Sequence, residues 1–413
     1  MQAVILAAGE SSRFWPFNQK HKSLFKLMGK PLIYYLIEGL KNSGIKEIIV
    51  VQSPKRDVEA EMENHSSKVS IQYVIQKKPL GTGDAILKAA PLIKNQFLLL
   101  NAERIDCPDI LEKIKKEKSK AILFSAPTQT PWLFGNLKIK GNKLLDIVEK
   151  PKKGKEFSNF KNVGIYFLPK NFLNYLAKIP LHPHSLIQAF FQYAKKEELK
   201  VIKIKKEPLF LKYPWDLFNI SEYLFKKIKR EIKGKTESNC SYKGLVFVGE
   251  KTVIKSGTYI EGPVYIGKNC QIGPNCYIRP FSSIGDNCFI GSGTEVKNSI
   301  ISDNSKITHL SYVGDSIIGE NCNLGAGTIL ANLRFDKAII KSMVKGKWVE
   351  TGRQKFGCAM GSNTQIGINC SIMPGVLIGS NCLIGPNVLV KENIKDNQVF
   401  YIKYQKFVKN KKN

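Results

Sequence analysis

Hydrophobic residues in the second half of the chain recur at a fixed interval. They fall at Val248, Ile254, Ile260, Ile266, Ile272, Ile278, Ile284, Ile290 and Val296, one every six positions. The phase slips by one to give Ile301, Ile307 and Val313, and again to give Ile318, Leu324 and Leu330. It resumes at Ile366, Ile372, Ile378, Ile384 and Val390. A period of six is incompatible with an amphipathic α-helix and signals a solenoid. It predicts a left-handed parallel β-helix of triangular cross-section over residues 244–396. Each face is one short strand, and the aliphatic residue points into the prism. Glycine often follows the aliphatic residue, as at Gly267, Gly285 and Gly325, where it is expected to help turn the corner. Residues 333–356 break the pattern and should be a loop thrown out from one corner.

The first half has a different grammar. Apolar runs at Ala3–Ala7, Lys46–Gln52 and Phe97–Asn101 read as strands, and Leu32–Lys41 and Gly83–Ala90 as helices. Such alternation predicts an α/β domain, Rossmann-like, with a mostly parallel sheet covered by helices. That domain spans 1–223. Residues 224–243 are expected to be helix and linker, with a basic tail over 397–413.

Composition narrows the class only modestly. A chain of 413 residues that is 43% hydrophobic suits two soluble globular domains. No apolar run approaches the roughly 18 residues needed to cross a membrane. Met1–Ala8 lacks a basic leader and reads as a first strand, which argues against a signal peptide. There are nine cysteines, none in metal-site spacing. Cys270, Cys276, Cys288, Cys322, Cys370 and Cys382 share phases of the repeat and read as small buried fillers in a reduced, cytoplasmic protein. The net charge of +30 is spread over the whole chain, clustering only at Lys403, Lys406, Lys409, Lys411 and Lys412. This favours anionic small substrates over nucleic acid.

The coil also carries polar residues that the fold does not require: Arg279, Lys297, His309, Ser311, Tyr312, Asp315, Asn323 and Asn332. Two cations at near-multiples of one coil would stack on neighbouring rungs and suit a phosphorylated substrate beside a general base. A histidine titrates near neutrality and can take the proton from an attacking amine. The runs Tyr277-Ile-Arg279-Pro280, Glu295-Val-Lys297, His309-Leu-Ser-Tyr312-Val-Gly-Asp315 and Asn323-Leu-Gly-Ala326-Gly-Thr328, with Asn332 beyond, resemble the acetyltransferase half of the bifunctional glucosamine-1-phosphate acetyltransferase and N-acetylglucosamine-1-phosphate uridylyltransferase family. Val344-Lys-Gly-Lys-Trp348 makes the likeness greatest to the archaeal type. The resemblance implies His309 as general base on the amine. It implies Arg279, Lys297, Tyr312 and Asn323 as sugar-phosphate ligands, and Asn332 as a group placing amine and base. Ala326 and Ser362 would line an acetyl-CoA groove. Leu333 stands where bacterial members have Tyr. Amides of Gly325-Ala326-Gly327 are expected to stabilise the oxyanion.

Leu6-Ala7-Ala8-Gly9-Glu10-Ser11-Ser12-Arg13, with Lys22 downstream, follows a strand and would present amides and cations to phosphates. Followed by Gln76, Leu80-Gly81-Thr82-Gly83, Gly135, Glu149-Lys150-Pro151 and Asn162-Val-Gly164-Ile-Tyr166, this order resembles sugar-1-phosphate nucleotidyltransferases. The resemblance implies that Leu6, Ala8, Gly9, Gly81 and Thr82 contact the nucleotide and Gln76 reads the base. Gly135, Glu149 and Asn162 would hold the sugar phosphate, and Lys22 and Arg13 would neutralise phosphate charge. An Mg²⁺ ion would sit on Glu103, which replaces the family's Asp. The second metal position falls on Phe210, with Asp216 the nearest carboxylate.

Together these features predict a bifunctional enzyme acting on amino-sugar 1-phosphate, acetyl-CoA and UTP. Acetyl transfer alone with a degenerate first domain, and a non-catalytic assembly subunit, remain alternatives. The flat coil faces and the family's intersubunit acetyl site imply a homotrimer, in which His309 and Ser362 could meet across an interface. No membrane or nucleic-acid partner is expected.

Overall fold

The computed structural model describes residues 1–65, 69–115, 117–205 and 207–409. Lys411 and Lys412 of the basic tail lie outside the described residues. The chain divides into two compact units. The first comprises 1–11, 20–25 and 30–210, and the second 12–19, 26–29 and 211–413.

In the first unit, β1 (Gln2–Ala7), β2 (Glu47–Gln52), β3 (Ser70–Ile75) and β4 (Phe97–Asn101) pair in parallel in the order β3-β2-β1-β4. The inner strands β1, β2 and β4 carry unbroken aliphatic runs, such as Leu98-Leu99-Leu100, as expected of strands covered on both sides, whereas the edge strand β3 includes Gln72 and is only partly buried. The crossovers include α1 (Leu32–Asn42) and α2 (Thr82–Ala89), both close to their expected bounds. The rest of the sheet is mixed rather than parallel. β5 (Ile122–Pro127) and β8 (Phe160–Leu168) pair antiparallel, as do β6 (Gly135–Lys140) and β7 (Lys143–Glu149). The reason is local: Gly141-Asn142 joins two adjacent strands directly, and so short a link permits only a hairpin.

The second unit is a left-handed β-helix with three parallel sheets of eight, nine and eight strands. The first face runs from Glu231–Ile232 to Val376–Ile378, the second from Lys235–Thr236 to Val399–Phe400, and the third from Ser241–Lys243 to Leu389–Val390. The hexad aliphatics stack inside as one core. The two phase slips mark coils of 17 residues, with Ile284 over Ile301 and Ile301 over Ile318, where earlier coils have 18.

The glycines act differently from expectation. Gly267 and Gly325 have ordinary φ, but a Cβ on Gly325 would lie 2.5 Å from the Gly367 carbonyl carbon on the next coil. They permit close stacking. The left-handed corner residue is usually asparagine: Asn269, Asn287, Asn321, Asn363 and Asn381 all have positive φ. Asparagine tolerates this region better than other non-glycine residues. Their amides also form a ladder, Asn321 to Asn363 at 2.9 Å and Asn363 to Asn381 at 3.0 Å. The cysteines form no disulfides and all but Cys240 are buried, and several take part in the coil's hydrogen bonding; the Cys288 N–H donates to Cys270 Sγ at 3.4 Å.

The expected helix and linker are shorter than anticipated. Helix α3 spans Leu217–Phe225, and residues from Glu231 already pair with the next coil. Thr236 and Tyr242 hold hexad positions there and bond each other at 2.7 Å. A terminal coil faces water, so polar residues can replace aliphatics. The inserted loop is also structured. Lys341–Val344 and Lys347–Glu350 form a hairpin whose turn residues Lys345 and Gly346 both have positive φ. It is anchored where Ser342 Oγ donates to the Gly375 carbonyl and Asn393 to the Met343 carbonyl.

Candidate active sites

The polar cluster in the β-helix gathers where the phase slips. Tyr277, Glu295 and Tyr312 are stacked neighbours on the third face, and Lys297 lies over Gly314. The two short turns from third to first face put Asn298 and Asp315 in the left-handed region. Buried Asp315 accepts from Lys297 Nζ at 2.7 Å and from Asn298 at 2.6 Å. Asn332 donates to the same carboxylate and to the Tyr312 hydroxyl at 3.2 Å. Burial pushes the Tyr312 phenol above its ordinary pKa. One coil below Lys297, Arg279 pairs with Glu295 at 2.8 Å and lies 5.4 Å from the Tyr277 ring. Its Nε has no hydrogen-bond partner among the described residues. The structure therefore brings Arg279, Lys297, Tyr312 and Asn332 together on one face. Asp315 and Glu295 hold the cations in place, a role that sequence spacing alone did not assign to them.

His309 occupies the corner between second and third faces. Its carbonyl accepts from Ser311 Oγ at 2.8 Å and from the Gly327 N–H at 3.2 Å. The exposed imidazole has no hydrogen-bond partner among the described residues, so the backbone and not the ring serves the fold. Ala326-Gly327 stacks above it, and the next coil places Ile368 and Asn369 there. Ser362 lies elsewhere, at the corner between first and second faces, where its Oγ accepts from the Glu320 N–H at 3.1 Å. Asn323 is on the second face, between Lys306 and Gln365. The Gly325 and Gly327 N–H groups are both used between coils, so of the three amides expected at the oxyanion only that of Ala326 is left without a described acceptor.

In the first unit, a cavity of about 290 Å³ opens beyond the C-terminal ends of the parallel strands. Leu6, Ala8, Gly9, Lys22, Gln76, Gly81, Thr82 and Glu103 line it together, with His21. Gly81 has φ 114° and ψ 176°, and a Cβ there would lie 2.9 Å from Pro183 Cα, so both conformation and space require glycine. Lys22 Nζ donates to Glu103 at 2.6 Å. Burial alone would raise the Glu103 carboxyl pKa, but the Lys22 ammonium outweighs it and holds the pKa below the ordinary value. Burial drives the His21 imidazole down to about 4.

A second cavity of about 260 Å³ shares Leu6, Thr82 and Asn101 with the first and adds Glu149, Asn162 and His184. Gly135 pairs with Glu149, and its missing Cβ leaves room for Glu149 Oε2. Asn162 is fixed by Tyr166, to whose hydroxyl it donates at 2.7 Å.

Arg13 does not line either cavity and belongs to the second unit. Its segment is held there through Trp15 to Asp396 at 3.1 Å and Gln19 to Ser380 at 2.6 Å. Asp216 accepts from the Lys212 and Tyr213 amides and caps its own turn. Among the described residues, no three carboxylate, imidazole or thiol groups gather as a metal site. Among the described residues, Glu103 is the one carboxylate that lines the 290 Å³ cavity. That still fits Mg²⁺, which takes one or two protein carboxylates and completes its shell with phosphates and water.

Comparison with known proteins agrees with this two-part arrangement. A model of nucleotidyl transferases matches residues 2–211, one of the GMPPB C-terminal domain matches 260–356, and one of bacterial transferase hexapeptides matches 357–392. The bifunctional protein GlmU of Methanococcus maripaludis strain C7 is 38% identical over the full length of both chains. The chain belongs to the bifunctional GlmU family. GlmU of Methanocaldococcus jannaschii is 37% identical over 91% of each chain. A Sulfurisphaera tokodaii protein named bifunctional sugar-1-phosphate nucleotidylyltransferase/acetyltransferase is 38% identical over 91% of this chain and 94% of its own.

Proposed function

We propose that the enzyme acetylates glucosamine 1-phosphate with acetyl-CoA and then joins the product to a uridylyl group from UTP, giving UDP-N-acetylglucosamine and pyrophosphate. The observation that carries this reading is the Arg279, Lys297, Tyr312 and Asn332 group stacked on one face, beside the corner bearing a free imidazole.

In acetyl transfer, Arg279 and Lys297 bind the sugar phosphate by exchanging part of their pairing with Glu295 and Asp315 for phosphate oxygens. The free amine attacks the thioester carbonyl, and His309 takes the proton that the nitrogen loses and passes it to the departing sulfur. The Ala326 N–H donates to the developing oxyanion, and coenzyme A leaves as thiol. In nucleotidyl transfer, a phosphate oxygen of the sugar attacks the α-phosphorus in line, and pyrophosphate leaves. Lys22 turns from Glu103 to the phosphates and offsets their charge. Glu103 would hold Mg²⁺, which when bound neutralises charge on the transferring phosphate. Glu149 and Asn162 hold the sugar.

A homotrimer through the β-helix faces completes the reading. Ile329 and Leu389 on the third face and Leu383 on the second are 40–51% exposed, as residues awaiting a neighbouring coil would be. No described helix is long and apolar enough to cross a membrane, and the nine thiols are free, which suits a cytoplasmic enzyme.

The test is His309→Ala. Positioned proton transfer contributes about 10²–10⁴-fold, so thiol release from acetyl-CoA should fall by at least two orders of magnitude. Pyrophosphate release from UTP and N-acetylglucosamine 1-phosphate should be unchanged. A loss of acetyl transfer below tenfold refutes the assignment of His309. Thiol release by the unaltered enzyme without any pyrophosphate release would leave acetyl transfer as the sole activity.

A further inference from the structure

The Gln76 side chain is almost fully buried at the wall of the nucleotide cavity. Its Nε2 donates to the Gly81 carbonyl at 3.1 Å and to Asp84 Oδ2 at 2.7 Å. Both partners are oxygens that accept, so the amide cannot be turned the other way without setting oxygen against oxygen. An amide nitrogen carries two hydrogens, and both are committed. Gln76 keeps only its carbonyl oxygen for a ligand, and no described residue donates to it.

We infer that Asp84 is a specificity-determining residue for the nucleotidyl half: by locking the Gln76 amide it presents an acceptor to the base, selecting a pyrimidine with an N3–H. Uracil and thymine have that hydrogen. Cytosine has a lone pair at N3, which would face the Gln76 oxygen unsatisfied. UTP and CTP are of one shape and differ at C4, a carbonyl in one and an amino group in the other, and at N3; the part of the discrimination assigned to Gln76 rests on the N3 hydrogen and its acceptor. Asp84 also has a purely structural use. It stands in the first turn of α2, where a carboxylate complements the helix N-terminus, and Lys88 lies 3.9 Å away. Such a role would alter both nucleotides equally.

The inference rests on the first unit using a nucleoside triphosphate, and the experiment separates the two. Pyrophosphate release by the full chain is measured with N-acetylglucosamine 1-phosphate and either UTP or CTP, for the natural protein and for Asp84→Asn. The natural protein should favour UTP in kcat/KM by on the order of 10- to 100-fold. In Asp84→Asn the new amide can donate to a flipped Gln76 oxygen, which leaves the Gly81 carbonyl as the one acceptor opposing the flip and weakens the lock. The UTP:CTP ratio should then fall at least tenfold, through nucleotide KM rather than kcat. Acetyl transfer by the same sample reports that the chain is folded; Asp84→Ser serves if the first variant is not. Equal use of both nucleotides by the natural protein, or an unchanged ratio in the variants, overturns the inference. If neither nucleotide releases pyrophosphate, the nucleotidyl-transfer reading fails. The ratio of UTP and CTP dissociation constants by calorimetry, natural protein against variant, then decides the role of Asp84.

Discussion

Asp315→Asn is the sharpest perturbation of the acetyl site. One carboxylate receives three donors, Lys297 and Asn332 on Oδ2 and Asn298 on Oδ1. The left-handed backbone, with φ 46°, accepts asparagine as readily as aspartate, so the substitution isolates the side chain. Asparagine retains one acceptor oxygen and sets an NH₂ against a remaining donor. The loss is one charge-assisted bond, worth about 1.5–3 kcal/mol, and a mispaired neighbour. Breaking a fully buried pair costs about 3–5 kcal/mol. The Lys297 side chain is 18% exposed and can turn to water, which favours the lower figure. The expected destabilisation is about 2–3 kcal/mol by denaturant titration. With Lys297 and Asn332 no longer held, KM for glucosamine 1-phosphate should rise about tenfold, equivalent to 1.4 kcal/mol, while KM for acetyl-CoA stays. Thiol release gives both constants, and pyrophosphate release serves as the control. A destabilised variant with unchanged sugar KM would make Asp315 purely structural. A variant of unaltered stability would refute the three-donor arrangement.

Other substitutions probe the coil. Gly325→Ala places a Cβ against rigid backbone on the next coil and should cost about 1–3 kcal/mol in a thermal melt, despite the ordinary φ. Asn363→Ala removes two ladder bonds and puts alanine at φ 60°, so it should cost about 2 kcal/mol, with Asn363→Gly milder because the backbone strain is relieved. Of the nine thiols only Cys240 is partly exposed, so a thiol reagent should titrate about one group per native chain and all nine after denaturation.

The hexads were readable because each buried position repeats a local rule, independent of anything distant. The corner chemistry has a signal in the sequence: Asn-Cys recurs at 269–270, 275–276, 287–288, 321–322, 369–370 and 381–382. The cysteine reads as filler, and the asparagine before it carries the positive φ. The terminal coil was missed because Thr236 and Tyr242 meet solvent and need not be aliphatic. Pairing the apolar runs of the first unit found the parallel strands. It could not show that strands after residue 120 fold back, since that depends on a tight hairpin and on long-range pairing. Arg279, Lys297 and His309 were legible as chemistry. The pairing of Arg279 with Glu295 and of Lys297 with Asp315 was not, because a 17-residue coil changes which residues stack. The Gln76–Asp84 contact is likewise a matter of side-chain direction.

In a linear stack each coil leans only on its two neighbours, so opening starts at the ends and must travel inward. The rungs from Arg279 to Asn332 have coils beginning at Glu231 before them and continuing to Phe400 after them. Amide hydrogen exchange should therefore slow from both termini of the β-helix toward these middle rungs. Arg279, Lys297 and His309 sit where fraying seldom reaches, and an end coil could be lost before these side chains moved.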